Sequence, residues 1–407
     1  MTAIATTCCI AGGGPAGMMA GFLLARAGVE VVVLEKHADF LRDFRGDTIH
    51  PSTLEVMHEL GLLDALLKLP HNDARELVGK VGDQTLHLAD FSHLPTRCKF
   101  IAFMPQWDFL DFLAGRAGRY KTFKLIMQGI ATGLIEEGGR VVGVRAMTTE
   151  GPLDIRAKLV VAADGRRSDL RTAAGLKVDN LGAPMDVLWF RLSRTATDPD
   201  NTGGYIRAGH VFVTLNRGDY WQCAFVIPKG SVETLRAKGV AAIREVIAGI
   251  VPFMADRVGE LASFDDLKLL TVAVDRMPLW HRPGLLCIGD AAHAMSPIGG
   301  VGINLAIQDA VATANLLAKP LRDGTVSDDD VARVQKRREF PTRVTQWIQI
   351  TMQNRIISPV LAGRGTIQLP GALKLFNRFP FLRRIPARLI GMGVRPEHAR
   401  TPDVFAS

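Results

Sequence analysis

Gly12-Gly13-Gly14-Pro15-Ala16-Gly17 sets glycines at the first, third and sixth positions of a six-residue turn, and Glu35 follows eighteen residues after Gly17. That spacing suits a pyrophosphate and its ribose. Gly12 permits a tight turn, Gly14 lets the backbone approach a phosphate, and Gly17 lets a following helix pack on the preceding strand. The first turn of a helix carries unpaired N–H groups and the positive end of its dipole, so a helix opening at Pro15, Ala16 and Gly17 offers an anion site. Pro15 costs nothing there, because its missing N–H would have had no partner. Glu35 is spaced to accept hydrogen bonds from an adenosine ribose, with Lys36 beside it, and an acid there disfavours a 2′-phosphate.

The surrounding elements fit this reading. Residues 8–12 read as the end of a buried strand, 15–27 as a helix closed by Gly28, and 29–35 as a second strand that is apolar until its last residue. This is a βαβ unit of a parallel sheet buried on both faces. Helices are predicted over 51–61, 107–117, 231–250, 302–317 and 330–357, the last behind the acidic turn Asp328-Asp329-Asp330. Strands are predicted within 123–144, with a hairpin at Glu137-Gly138-Gly139, and over 159–163 and 285–288. Residues 75–97 and 186–274 read as short strands outside that sheet, several of them aromatic-rich. The expected class is α/β. A nucleotide-binding domain over 1–74, 98–180 and 272–330 carries an inserted mixed or antiparallel sheet domain over 75–97 and 181–271. A helical segment over 331–407 completes the chain.

Composition narrows the classes. A chain of 407 residues with 47% hydrophobic and 22% charged residues can bury a large core. The five cysteines show no CxxC spacing, which indicates neither a disulfide framework nor a zinc site and fits a cytoplasmic setting. No run of eighteen apolar residues occurs, so no transmembrane span is expected. The net charge of +8 comes from the C-terminal segment: residues 333–400 hold 14 Lys/Arg against 2 Asp/Glu. No aromatic-interleaved nucleic-acid motif accompanies it, so no nucleic-acid partner is expected. With Phe376, Phe379, Phe381 and Leu382 the segment leaves peripheral membrane contact open, against the favoured reading that it covers the nucleotide-binding domain. A monomer and a homodimer are both compatible with the sequence.

Two further segments complete a resemblance. Val161-Ala162-Ala163-Asp164-Gly165-Arg166-Arg167-Ser168 and Gly289-Asp290-Ala291-Ala292-His293, the latter followed by Pro297 and by Gly299-Gly300-Val301-Gly302-Ile303-Asn304, join the glycine turn in that order. Read alone, Asp164 fits either a site acid or a turn residue before Gly165, and Asp290 either a site acid or an N-cap. Together the three segments resemble the single-component FAD-dependent aromatic hydroxylases typified by para-hydroxybenzoate hydroxylase, over about residues 5–320. The chain departs from the pattern at Val301, where relatives often carry glutamine.

The resemblance implies an FAD-binding Rossmann-like domain and a set of cofactor contacts. Arg45 would hold the diphosphate and ribityl region and Gln106 would support the cofactor. Asp164, with Gly165, would link the site to transient NAD(P)H, and Asp290 would bind the ribityl hydroxyls. Pro297 would lie beside the isoalloxazine, and Gly302, Ile303 and Asn304 would meet its pyrimidine side. A helix beginning near Gly302 would direct free N–H groups at the negative charge of reduced flavin. The implied cycle is reduction of FAD by NAD(P)H, reaction with O2 to a C4a-hydroperoxide, and oxygen transfer to an electron-rich aromatic carbon. No second GxGxxG is present, so no separate nicotinamide domain is expected.

The substrate would lie between the inserted sheet and the flavin. Candidate lining residues are Trp189, Arg191, Tyr205, His210 and Trp221. His50 is a candidate base for a phenol proton and Tyr220 a candidate for orienting a substrate hydroxyl. Against these stand a helix-flanking role for His50 before Pro51 and a sheet-covering role for Tyr220. The few fixed charges among these strands suggest a fairly hydrophobic or multi-ring substrate. A reductase or halogenase on the same fold, or a flavin-binding partner without catalysis, are the competing readings; the halogenase WxWxIP signature is absent.

Overall fold

The computed structural model describes residues 2–41, 47–200, 202–207, 209–363 and 376–406. Its first strand, Thr2–Ala11, is fully buried over Cys8–Ala11, and the second, Val31–Glu35, is buried throughout. Alternation divides these strands between two cores. Cys8, Ile10, Val31 and Val33 face a helical layer with Met18, Phe22, Ile307 and Val311. Cys9, Val32 and Leu34 face Leu134, Val144, Leu170 and Trp280.

The sheet runs, in space, His281–Arg282, Leu285–Cys287, Gly151–Ala162, Thr2–Ala11, Val31–Glu35 and Phe123–Met127. Its central pairings are parallel. Ile130–Glu137 and Arg140–Thr148 extend Gly151–Ala162 as an antiparallel meander. Their hairpin turns at Gly138 and Gly139, both at positive φ, where the sequence placed it. Pro15–Arg26, Gln106–Ala117 and Gly302–Arg322 form the helical layer.

A second, seven-stranded sheet has the order Lys268–Leu270, Met185–Ser193, Tyr220–Pro228, His210–Asn216, Gly203–Arg207, Glu76–Val81 and Gln84–Asp90. It is mixed, because Gly203–Arg207 runs parallel to Glu76–Val81. Helix Val232–Ile250, broken at Gly239, covers one face through Ile243, Ile247 and Ile250. A small third sheet joins Thr48–Ile49, Asn72–Ala74 and Ile101–Phe103, and its first strand leads into helix Pro51–Glu59. The sequence reading had no place for it, since its strands are two or three residues long.

Ser327 caps helix Asp328–Met352 through a capping box with Asp330. The predicted helix over 330–357 is not continuous: a π-helical turn over Gln353–Ile357 carries Gln353 inward, where its Nε2 donates to Ser296 Oγ at 2.8 Å. The segment 298–323 is long and apolar enough to cross a membrane, but its most apolar stretch is mostly buried, as the core helix of the first domain. The chain then folds back. Ala387 and Met392 pack with Ala89, Phe91 and Leu94, and Tyr120 donates to Asp403 at 2.8 Å. The C-terminal segment thus packs on the edge of the second sheet through Ala387 and Met392 and reaches the first domain through Asp403. All five cysteines are buried and free, and burial pushes the Cys9 thiol up to about 12.

Candidate active site

The glycine turn is built as its spacing requires. Gly12 sits at φ +109°, and a Cβ there would overlap the Ala163 carbonyl; one on Gly17 would overlap the Gly12 carbonyl. Around Gly14 there is open space, and no side chain caps the helix that begins at Pro15. Ala16 packs against Gly289, which brings the third motif onto the first. Gly13 N donates to Glu35 Oε2 at 3.0 Å. His37, which sequence reasoning missed, holds the other oxygen through its N–H at 3.0 Å and its Nδ1 at 2.6 Å. Lys36 is exposed at the strand end.

Asp164 and Gly165 follow the strand beside Thr2–Ala11. Leu170 N donates to Asp164 Oδ2 at 3.3 Å, while Oδ1 is buried without a partner. Burial raises this carboxyl above the usual range, against hydrogen bonds from Ser168 and Leu170. Space beside Gly165 is open. Arg171, missed by the sequence reading, ties this motif to the next by donating to Ala291 O at 2.8 Å and Arg166 O at 2.9 Å. Arg166 pairs with the half-buried Asp290 at 3.5 Å.

Behind Asp290 lies a buried charge network. Asp309 Oδ2 meets His293 Nε2 at 2.6 Å and Gly289 N at 3.1 Å, and its Oδ1 accepts from Arg338 Nε at 2.9 Å. Burial alone would raise the Asp309 carboxyl, but His293 and Arg338 hold it below the ordinary value. The His293 ring packs 4.9 Å from that of Trp280 and serves this network, not a substrate.

The Pro297 loop is held by three glutamines on one face of the long C-terminal helix. Gln346 Nε2 donates to Ala294 O at 3.2 Å, Gln349 Nε2 to Ser296 O and Ile298 O at 2.9 Å each, and Gln353 reaches Ser296 Oγ. Gly299 and Gly300 turn the chain at positive φ into the helix at Gly302, whose start has no side-chain cap. Its first N–H groups therefore remain available to an anionic ring edge. Ile303 is buried in the core, and Asn304 Oδ1 accepts from Ser52 at 2.7 Å and Thr53 at 2.8 Å. The Ile303 side chain faces away from solvent, so that position can reach a cofactor through its backbone N–H.

His50 is also corrected. Its Nδ1 lies 2.7 Å from Ile390 O and its Nε2 3.1 Å from Gly300 O. Both nitrogens face carbonyl oxygens, so neither is directed at a substrate. Burial lowers its pKa against these two carbonyls, and the neutral ring donates to only one of them at a time. Its geometry is that of an anchor between the Gly300 turn and the C-terminal segment.

Arg45 lies outside the described residues. Its neighbour Asp47 accepts from Gln106 N at 3.3 Å and is ion-paired with the buried Arg217, whose Nε donates to Gln222 at 3.1 Å. Burial raises the Asp47 carboxyl even against Arg217. Gln106, Asp47, Arg217 and Gln222 thus couple the first domain to the second sheet.

The two faces of the second sheet separate the candidate lining residues. Trp189 packs with Val187, Val213, Leu270 and Ile298, the residue after Pro297. Strand alternation puts Arg191 and Tyr220 on the same face, where the Arg191 guanidinium lies 4.9 Å from the Tyr220 ring centre. Trp189 Nε1 is buried there without an acceptor. Burial raises the Tyr220 phenol, so it stays protonated at neutral pH. Tyr205, His210 and Trp221 belong to the opposite face. Tyr205 and Trp221 join the core under helix Val232–Ile250, and the His210 ring lies tilted against Phe225, centres 5.6 Å apart. Trp221 Nε1 donates to Asp198 at 2.8 Å. The aromatic composition of these strands could not reveal which face each ring takes.

Two uncapped helix starts, an open glycine turn and the unpaired Asp164 Oδ1 are what an elongated dinucleotide with a flavin at its far end would fill. The chain matches the FAD binding domain family over residues 5–348. It is 34% identical to 6-methylpretetramide 4-monooxygenase of Streptomyces rimosus, over 94% of this chain and 92% of that one. In fold it is similar to PqsL of Pseudomonas aeruginosa, described as a probable FAD-dependent monooxygenase, with TM-score 0.76, 21% identity and coverage of 88% and 99%. The OxyS anhydrotetracycline hydroxylase of Streptomyces rimosus gives TM-score 0.75 and 22% identity, with 96% and 77% covered. The chain belongs to the FAD-binding flavoprotein monooxygenases of the single-component, para-hydroxybenzoate hydroxylase-like type, enzymes that act on aromatic compounds.

Proposed function

We propose that this enzyme hydroxylates a fairly hydrophobic, multi-ring phenolic compound, using NAD(P)H and O2. The observation that carries this reading is the position of Ile298. It follows Pro297 directly and packs on the same sheet face as Trp189, Val187 and Val213. A substrate on that face would rest against apolar walls beside the loop gripped by Gln346, Gln349 and Gln353.

When bound, FAD supplies the redox chemistry and oxygen activation. The chain's own residues bind, orient and shield. The uncapped helix start at Gly302 would present its N–H groups to the negative edge of a bound flavin. Tyr220 stays a protonated hydroxyl that can donate to or accept from a substrate oxygen, with Arg191 against its ring. The unpaired Trp189 N–H offers a second donor. With His50 closed between two carbonyls, removal of a phenol proton falls to solvent or to the substrate's own acidity. The named substrates of relatives, 6-methylpretetramide and rifampicin among them, support a large ring system.

The test is anaerobic mixing of the holoenzyme with NADH or NADPH, with and without polyphenolic candidates. Faster flavin bleaching in the presence of one candidate, then a product heavier by one oxygen on aeration, is the expected result. Reduction of a substrate double bond instead would replace this reading with a reductase.

A further inference from the structure

The C-terminal segment presents an apolar face to solvent that nothing in the catalytic site uses. Phe379 (39% exposed), Phe381 (60%), Ile385 (58%) and Leu389 (41%) lie along the turn Pro380–Arg383 and helix Arg384–Gly391. Ile385 and Leu389, four residues apart, share one face of the helix, and Phe381 stands in the turn that leads into it. Arg378, Arg384 and Arg388 are exposed around that face. Residues 376–396 contain five arginines and no acid. The nearby Asp90 is engaged by Ser92 N at 2.9 Å. The opposite side of the helix is fixed to the protein by the buried Ala387 and Gly391, while the exposed Arg384 at the flank of the apolar face donates to His93 at 3.1 Å.

We infer that this face docks on an anionic membrane surface. Apolar side chains flanked by arginines on a short helix lying flat on the protein suit a headgroup boundary, with the rings and aliphatic chains inserted and the guanidinium groups at the phosphates. A second copy of this chain fits less well, because residues 376–396 bring arginines and no acid to pair with them across a two-fold contact. The helix also ends at the site: Ile390 O contacts His50 Nδ1, and His50 Nε2 contacts Gly300 O in the turn before the Gly302 helix. The docked face is therefore one side chain away from the flavin loop. That placement suits collection of a lipophilic substrate, which rests on the function proposed above; the docking itself does not.

The experiment is co-sedimentation of the full-length holoenzyme with phosphatidylcholine vesicles, with and without phosphatidylglycerol. Wild type is expected to pellet with the anionic vesicles and to be released by salt. Phe381→Asp/Ile385→Asp, matched for FAD content and melting temperature, is expected to bind roughly tenfold more weakly or worse. If that variant does not fold, Arg384→Glu/Arg388→Glu tests the electrostatic half. Wild type that stays in the supernatant, or equal binding by the variant, overturns the inference. So does light scattering that finds a wild-type dimer and a monomeric variant, which would make this face a contact between copies. Activity plays no part in the readout, so failure here leaves the hydroxylase reading standing.

Discussion

Gly13 N donates to Glu35 Oε2, so the turn facing the diphosphate is bonded to the acid placed for the ribose. With His37 on its other oxygen, Glu35 is oriented before any sugar arrives. Glu35→Gln keeps the volume but removes the charge that strengthens these bonds. Hydrogen bonds to charged groups contribute about 2 kcal/mol, roughly thirtyfold in Kd. Titration of deflavinated protein with FAD should show that loss; a wild-type Kd would contradict the assignment.

His50 should behave as an anchor. His50→Asn retains one N–H donor and should lower kcat by less than about tenfold, with an unchanged pH profile. Removal of a general base costs about a hundredfold or more and erases a limb of the profile. A pH–rate series on both proteins separates the two outcomes.

Asp309 and Arg338 are buried at 0% and 1% side-chain exposure. Losing one partner of such a pair costs about 3–5 kcal/mol, so Arg338→Met should melt well below wild type at neutral pH. The folded Asp309 pKa lies below the unfolded one. Its stabilisation is therefore present above about pH 4 and is lost as pH falls toward the folded value. Asp309→Asn should flatten the acid limb of a melting-temperature profile; an unchanged limb would show that another carboxylate dominates.

Asp164 carries the opposite sign. Its folded pKa is raised, so its contribution to stability is full below about pH 4 and is lost as pH rises through the folded value. Asp164→Asn should therefore melt no lower than wild type at neutral pH, yet slow flavin reduction by NAD(P)H. A variant that melts lower while reducing its flavin at the wild-type rate would make Asp164 a structural turn residue.

The dinucleotide half of the site was legible because backbone geometry dictates it: Gly12 and Gly17 are glycines since any Cβ would strike a carbonyl. The hairpin at Gly138-Gly139 was legible because both residues take positive φ, a conformation that favours glycine. The substrate half was not. Tyr205, His210 and Trp221 share composition with Trp189 and Tyr220, and only strand register assigns them to opposite faces. Long-range pairings were equally hidden. Nothing local to Asp47 calls for Arg217, or local to His50 for Ile390, because those contacts exist only once separate elements meet. Gln346, Gln349 and Gln353 look like an ordinary polar helix face, and they became informative only when the Pro297 loop was found beneath them.

The function rests most directly on where the product's oxygen originates. Holoenzyme turning over a multi-ring phenol under 18O2 with NAD(P)H should place one labelled atom in the product and none from labelled water. Product without the label, or nicotinamide oxidation that yields only peroxide for every aromatic compound offered, would contradict the hydroxylase.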